Sequence, residues 1–214
     1  MPDALIDNDV VLKFCRIGHL ADLAGCLGRT EASLAVLGSL RFVLGSLVGP
    51  QDPDRPALDS FLMSVEEAEP SEHEIRLAAQ IEEAAQRAGH AVDAGESLLF
   101  AMGASQSIRV ATGDKRAILG LAALVADLPD CRFLLGSVVT LEWLASALLV
   151  SRGLEVVRAS ICSQPSVDRT LCACFQCKQV SCTAADVRAA LLSYQSDLAG
   201  RTNGLVTADL APAS

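Results

Sequence analysis

"ALIDNDVVLKF", residues 4–14, changes character at Asp7. Residues 3–7 read as a short buried strand, and the apolar spacing of residues 10–28 reads as the helix leaving it, ending at Gly25 or Gly28. Asp7 and Asp9 sit at the joint. They are a nucleophile with its acid partner, ligands for a cation, or caps of the helix, and the rest of the chain has to decide.

Downstream, the strand-then-helix grammar recurs. "IRVAT", 108–112, reads as a strand and 113–128 as the helix after it; "CRFLLGS", 131–137, reads as another strand and 138–153 as another helix. Upstream of these units, apolar residues at 34, 37, 40, 44 and 47 predict a helix capped by Thr30. The prolines of 49–56 predict a loop. Residues 70–90 are the clearest helix, with Ser71 and Glu74 at capping-box spacing and Gly89 closing it. Asp93 and Glu96 repeat the capping-box pattern. Strands alternating with helices predict an α/β fold with a parallel sheet, and 183–205 returns to helix after a Cys-rich stretch. The domain expectation is 1–158, with a helical Cys-containing extension, 159–214, packed on it and a frayed tail at 207–214.

Composition limits the function classes. Seventeen Lys and Arg against 26 Asp and Glu give a net charge of −9, so the chain does not coat nucleic acid by bulk charge. The apolar windows 34–49 and 134–150 are interrupted by Arg41 and Glu142 and read as buried elements, not membrane spans. The acidic start lacks the pattern of an export signal, so a cytoplasmic protein with reduced thiols is expected.

In a parallel sheet, residues just past the strand C-termini gather along one edge. Asp7, Glu96 and Asp114 all fall at such positions or in the first turn of a following helix. Clustered carboxylates repel unless a cation sits among them, and oxygen donors suit Mg²⁺ or Mn²⁺. Lys13, Lys115 and Arg116 flank these acids and are candidate phosphate contacts. Capping explains each acid singly; the combination is what points to a metal site.

"LIDNDVVLKF", "VDAGESLLFA" and "RVATGDKRAI" together resemble the PIN-domain family of metal-dependent ribonucleases. The resemblance covers residues 3–150. It implies a three-layer α/β/α sandwich (PIN-like) with a central parallel sheet, one or two Mg²⁺ or Mn²⁺ ions, and endonucleolytic hydrolysis of RNA. Asp7, Glu96 and Asp114 occupy the three acidic positions. A fourth acid is usual in the family, with Glu31 the candidate and Asp9 the other possibility. Asp93 is assigned to the helix cap. An antitoxin-like partner, as in toxin–antitoxin pairs, or a second copy of the chain is the protein partner implied. The chain departs from the family in its acidity and in its added C-terminal segment.

Two rivals use the same residues. The opening strand followed by Asp-x-Asp also fits a haloacid-dehalogenase-like phosphatase, with Asp7 as nucleophile and Asp9 as general acid, but no later acidic pair completes that pattern. A non-catalytic PIN-like binding or regulatory module is the other. In "CACFQCKQVSC", Cys172, Cys174, Cys177 and Cys182 invite a structural Zn²⁺, while the irregular spacing favours buried free thiols.

Overall fold

Leu34–Leu37 is apolar at every position, which suits a helix stripe and a doubly buried strand equally. In the computed structural model, which describes residues 2–206, it is a strand with all four side chains buried. Five strands, β1 (Ala4–Ile6), β2 (Leu34–Leu37), β3 (Glu66–Ala68), β4 (Arg109–Thr112) and β5 (Val138–Thr140), pair in parallel in the order β3-β2-β1-β4-β5. The chain builds outward from β1 to β3, then returns to lay β4 on the other side of β1. The switch between β1 and β4 opens a crevice at their C-terminal ends, where open α/β sheets bind ligands.

Strand alternation divides the core. Ala4, Ile6, Leu34, Val36, Ala111 and Val139 face one side. They meet α1 (Asn8–Arg16), α2 (Leu23–Cys26), α3 (Leu40–Leu47), α4 (Arg55–Ser64), α8 (Leu141–Arg152), α9 (Leu154–Ser163), α10 (Arg169–Cys174) and the first half of α11 (Ala184–Arg201). Leu5, Ala35, Leu37, Ala68, Val110 and Val138 face the other side, against α5 (Glu72–Ala88), α6 (Ala94–Gln106), α7 (Lys115–Leu124) and Leu198 of α11. Helices thus flank the parallel sheet on both faces. Among the described residues, no helix is long and apolar enough to cross a membrane.

Both expected capping boxes form, and Gly89 ends α5 at φ 72°, a left-handed conformation that glycine adopts without steric cost. Other expectations need correction. The helix expected over 10–28 is broken into α1, a 3₁₀ turn and α2, because Gly18 turns the chain at φ 73°. The helix expected after Thr30 is β2 followed by α3, and Thr30 makes no side-chain cap. Residues expected as strand at 131–137 form mostly a 3₁₀ turn, Pro129–Leu134, while β5 takes Val138–Thr140 from the expected helix. Neighbouring β-branched residues fit the pleat better than the helix.

The C-terminal segment is not a separate layer. Val157, Ile161, Leu171, Phe175 and Leu191 share one core with β1 and α1, and the boundary expected at 158 falls inside α9. The Gly136 amide donates to the Gly204 carbonyl at 2.8 Å, and Val206 bridges in parallel to Val138, so the described chain ends against β5. The expected tail at 207–214 lies outside the described residues.

Candidate functional site

Asp7 directly follows β1 and holds the N-cap position of α1, yet its side chain makes no capping bond. Its Oδ2 instead accepts from the Thr112 hydroxyl at 2.7 Å, linking the ends of β1 and β4 across the switch point. The Thr112 oxygen also accepts from the Asp114 amide at 3.2 Å. Asp114 caps α7, its Oδ1 taking the amides of Arg116 (2.7 Å) and Ala117 (3.2 Å) and its Oδ2 the Arg116 guanidinium at 3.0 Å. Glu96 enters from α6, its Oε2 accepting from the Asp93 amide at 2.8 Å while Asp93 caps the Glu96 amide. Glu96 thus closes the capping box and at the same time lines the cleft.

The three acids line one cleft of about 520 Å³. Their electrostatics agree with that proximity. The pKa of Glu96 is pushed up to about 7, first by burial and then by the charges of Asp93, Asp114 and Asp7, against the Asp93 amide. Asp7 is also raised, by burial and by Asp9, against its Thr112 bond. Burial pushes on Asp114 too, but the Arg116 bond and the helix amides prevail and hold it below the usual carboxylate range.

Glu31 does not join them. It lies on a 3₁₀ turn before β2, where the Ser33 carbonyl accepts from the Asp3 amide ahead of β1, so it sits at the N-terminal end of the sheet, opposite the cleft. Asp9 lines the cleft, its carboxylate ion-paired to Lys13 at 2.8 Å. Gly113 makes that placement possible, because a β-carbon there would collide with the Asp9 carboxylate.

Glu142 is the acid that spacing alone did not assign. It lies in the first turn of α8, just after β5, is 2% exposed, and lines the same cleft. Its Oε1 meets Lys115 Nζ at 2.5 Å. The available signal was a repeat: Thr112-Gly113-Asp114 after β4 and Thr140-Leu141-Glu142 after β5. Asp168, the N-cap of α10, and Thr170 in its first turn also reach the cleft, and no pattern in the sequence marked them.

Lys13, Lys115 and Arg116, the sequence candidates for phosphate contact, line the cleft, and each is engaged by an acid. Lys13 binds Asp9 and Asp168; Lys115 binds Glu142, lies 3.4 Å from the Thr170 hydroxyl and stands 5.0 Å from the Tyr194 ring centre. Arg116 holds Asp114.

Among the described residues, no three His, Cys, Asp or Glu side chains are already drawn into an ion cage. The donor set nonetheless suits a hard divalent cation in its chemistry: oxygen ligands only, with the pKa of Glu96 raised first by burial and then by its acidic neighbours, a tension a cation relieves. The zinc expectation fits less well. Cys162 and Cys177 form a disulfide, so Cys177 offers no thiolate, and Cys174 is fully buried in the core. The expectation that all eight cysteines are reduced is corrected by the same bond.

A second polar cluster has a triad-like outline. His19 Nδ1 lies 2.8 Å from Asp22 and its Nε2 lies 3.1 Å from the Ser160 hydroxyl. Ser160 stands well inside α9, where the helix ladder already uses the neighbouring amides that would bind an oxyanion, and Arg152 also takes Asp22. The cluster ties the 3₁₀ turn to α8 and α9.

Comparison with protein-family profiles, with curated proteins and with solved structures finds no match for this chain.

Proposed function

We propose that this protein is a PIN-like, divalent-metal-dependent endoribonuclease, with Asp7, Glu96 and Asp114 as metal ligands. Glu142 takes the fourth acidic place for which Glu31 was the sequence candidate. The observation that carries the reading is the convergence of Asp7, Glu96 and Asp114, from three separate elements, on one cleft at the β1/β4 switch point, and the raised pKa of Glu96 agrees with it. Mg²⁺ or Mn²⁺ bound there would supply an activated water and neutralise charge developing on a phosphodiester.

The chain's own residues prepare that site. Thr112 orients the Asp7 carboxylate, the amides at the start of α7 orient Asp114, and the Asp93 amide orients Glu96. Burial of Glu142 against Lys115 keeps a cation close to the cleft without making its surface positive. Phosphate approach then depends on metal ions more than on basic side chains.

The phosphatase reading requires Asp9 free as a general acid, and Asp9 is paired with Lys13. The test is cleavage of a fluorescent single-stranded RNA with Mn²⁺, Mg²⁺ or EDTA, using wild type and Asp114→Asn. Metal-dependent cleavage lost in the variant supports the reading. A trappable phosphoryl-Asp7 on small phosphate esters would replace it with the phosphatase, and no turnover on either substrate would favour a binding module.

A further inference from the structure

Lys13 is shared by two carboxylates from distant parts of the chain. Asp9 lies one helical turn away on α1, and Asp168 approaches at 2.9 Å from the segment between α9 and α10. Lys13 and Asp168 are 16% and 15% exposed, so this is a largely desolvated pair and not a surface ion pair of little weight. Asp168 is fixed from both directions. Its Oδ1 caps α10 through the Leu171 amide at 2.8 Å, leaving Oδ2 for Lys13. Leu171, Cys174 and Phe175 anchor the segment in the core, and the Cys162–Cys177 disulfide closes it into a loop.

We propose that Asp168 is a specificity-determining residue of the cleft, which withholds Lys13 from anionic ligands. Two carboxylates on one ammonium leave the group net negative, so a phosphate reaching Lys13 must displace a partner that the fold has already positioned. Around it the cleft carries seven carboxylates (Asp7, Asp9, Asp93, Glu96, Asp114, Glu142, Asp168) against three cations. Anions without bound metal are thereby excluded, and Thr170 beside Lys115 extends the same wall. Burial works against the Lys13 ammonium, but Asp9 and Asp168 prevail and raise its pKa, which keeps it protonated and unreactive.

The RNA consequence rests on the nuclease reading; the hold on Lys13 does not. The test is therefore acylation of Lys13 followed by mass spectrometry, with exposed Lys178 as internal reference, on wild type and Asp168→Asn, with and without inorganic phosphate. Asn preserves the cap on α10 while removing the charge, and Asp168→Ser, also a good cap, serves if Asn fails to fold. The expected result is several-fold faster Lys13 acylation in the variant, slowed by phosphate there but not in wild type. Unchanged Lys13 acylation, or no phosphate protection in the variant, overturns the proposal. A second arm measures binding of an uncleavable 2′-O-methyl oligonucleotide with Mg²⁺. Tighter binding by the variant, about tenfold, with a salt slope steeper by about 0.7, supports both readings. Unmasked, phosphate-protected Lys13 with no oligonucleotide binding by either protein keeps the role of Asp168 and removes the nuclease.

Discussion

The turns leaving β4 and β5 carry the same pattern, Thr112-Gly113-Asp114 and Thr140-Leu141-Glu142, and the two threonines are paired partners in the sheet. Their acids nevertheless end in different circumstances. After β4, Gly113 lengthens the turn, so Asp114 itself caps α7 and stays half-buried with its oxygens on amides and Arg116. After β5 no residue intervenes. Thr140 caps α8 through the Trp143 amide, and Glu142 falls inside the first turn, buried on Lys115. Two residues of turn length, Gly113 and Asp114 against none after β5, convert the same spacing from a cap into a buried ion pair. The first arrangement keeps a carboxylate at the mouth of the cleft; the second fixes charge in its wall.

If that difference is functional, the largest effect belongs to the mouth. Asp114→Asn should keep its cap and its stability, since Asn caps as well as Asp, yet lower metal-dependent RNA cleavage by at least about 100-fold. Matched circular dichroism melts and initial rates check this, and equal rates would dissolve the contrast. Glu142→Gln comes next. It should cost about 1–2 kcal/mol in urea unfolding through loss of the charged partner of Lys115, a greater loss than for Asp114→Asn in the same assay. Gly113→Ala should cost less, about 1 kcal/mol or below, because the added methyl meets the free end of the Asp9 side chain, which can swing aside at the expense of its ion pair with Lys13; a clearly larger loss would mean that Asp9 is held in place.

The smallest effect is a pH dependence. Glu96 titrates near 7 in the folded protein against an ordinary value of 4.5, so the folded state holds its proton more tightly than the unfolded chain does. Its contribution favours folding below about pH 4.5 and is lost as pH rises through 7. Between pH 5 and 8 it should make melting temperature fall with pH, and Glu96→Gln should flatten that component. Mn²⁺ affinity should rise over the same window, because binding requires the carboxylate. A Mn²⁺ titration whose pH slope survives Glu96→Gln would place the titrating group elsewhere.

Legibility along the chain followed the strength of local signals. The capping boxes at Ser71 and Asp93 were readable because both partners lie within four residues. β4 was readable from "IRVAT", bounded by turn residues. β3 was not: its three residues include two exposed glutamates, and nothing in an edge strand so short distinguishes it from a loop. β2 was misread because residues buried on both faces lose the period of two that marks a strand. Glu31 was misplaced for a related reason, since once β2 is taken for helix, its preceding turn can no longer be assigned to an end of the sheet.

By itself the sequence determined the parallel α/β class, the strand-ending position of Asp7, and the positions of Glu96 and Asp114 at the starts of helices. Those features rest on interactions within a few residues, which local pattern expresses. Tertiary structure alone decided that Glu142 completes the acidic wall, that Glu31 lies at the far end, and that Asp168 crosses 155 residues of sequence to take Lys13. Such contacts depend on strand order and on where α10 is anchored. Both are settled by burying two faces of one sheet together, and no short stretch of chain encodes them.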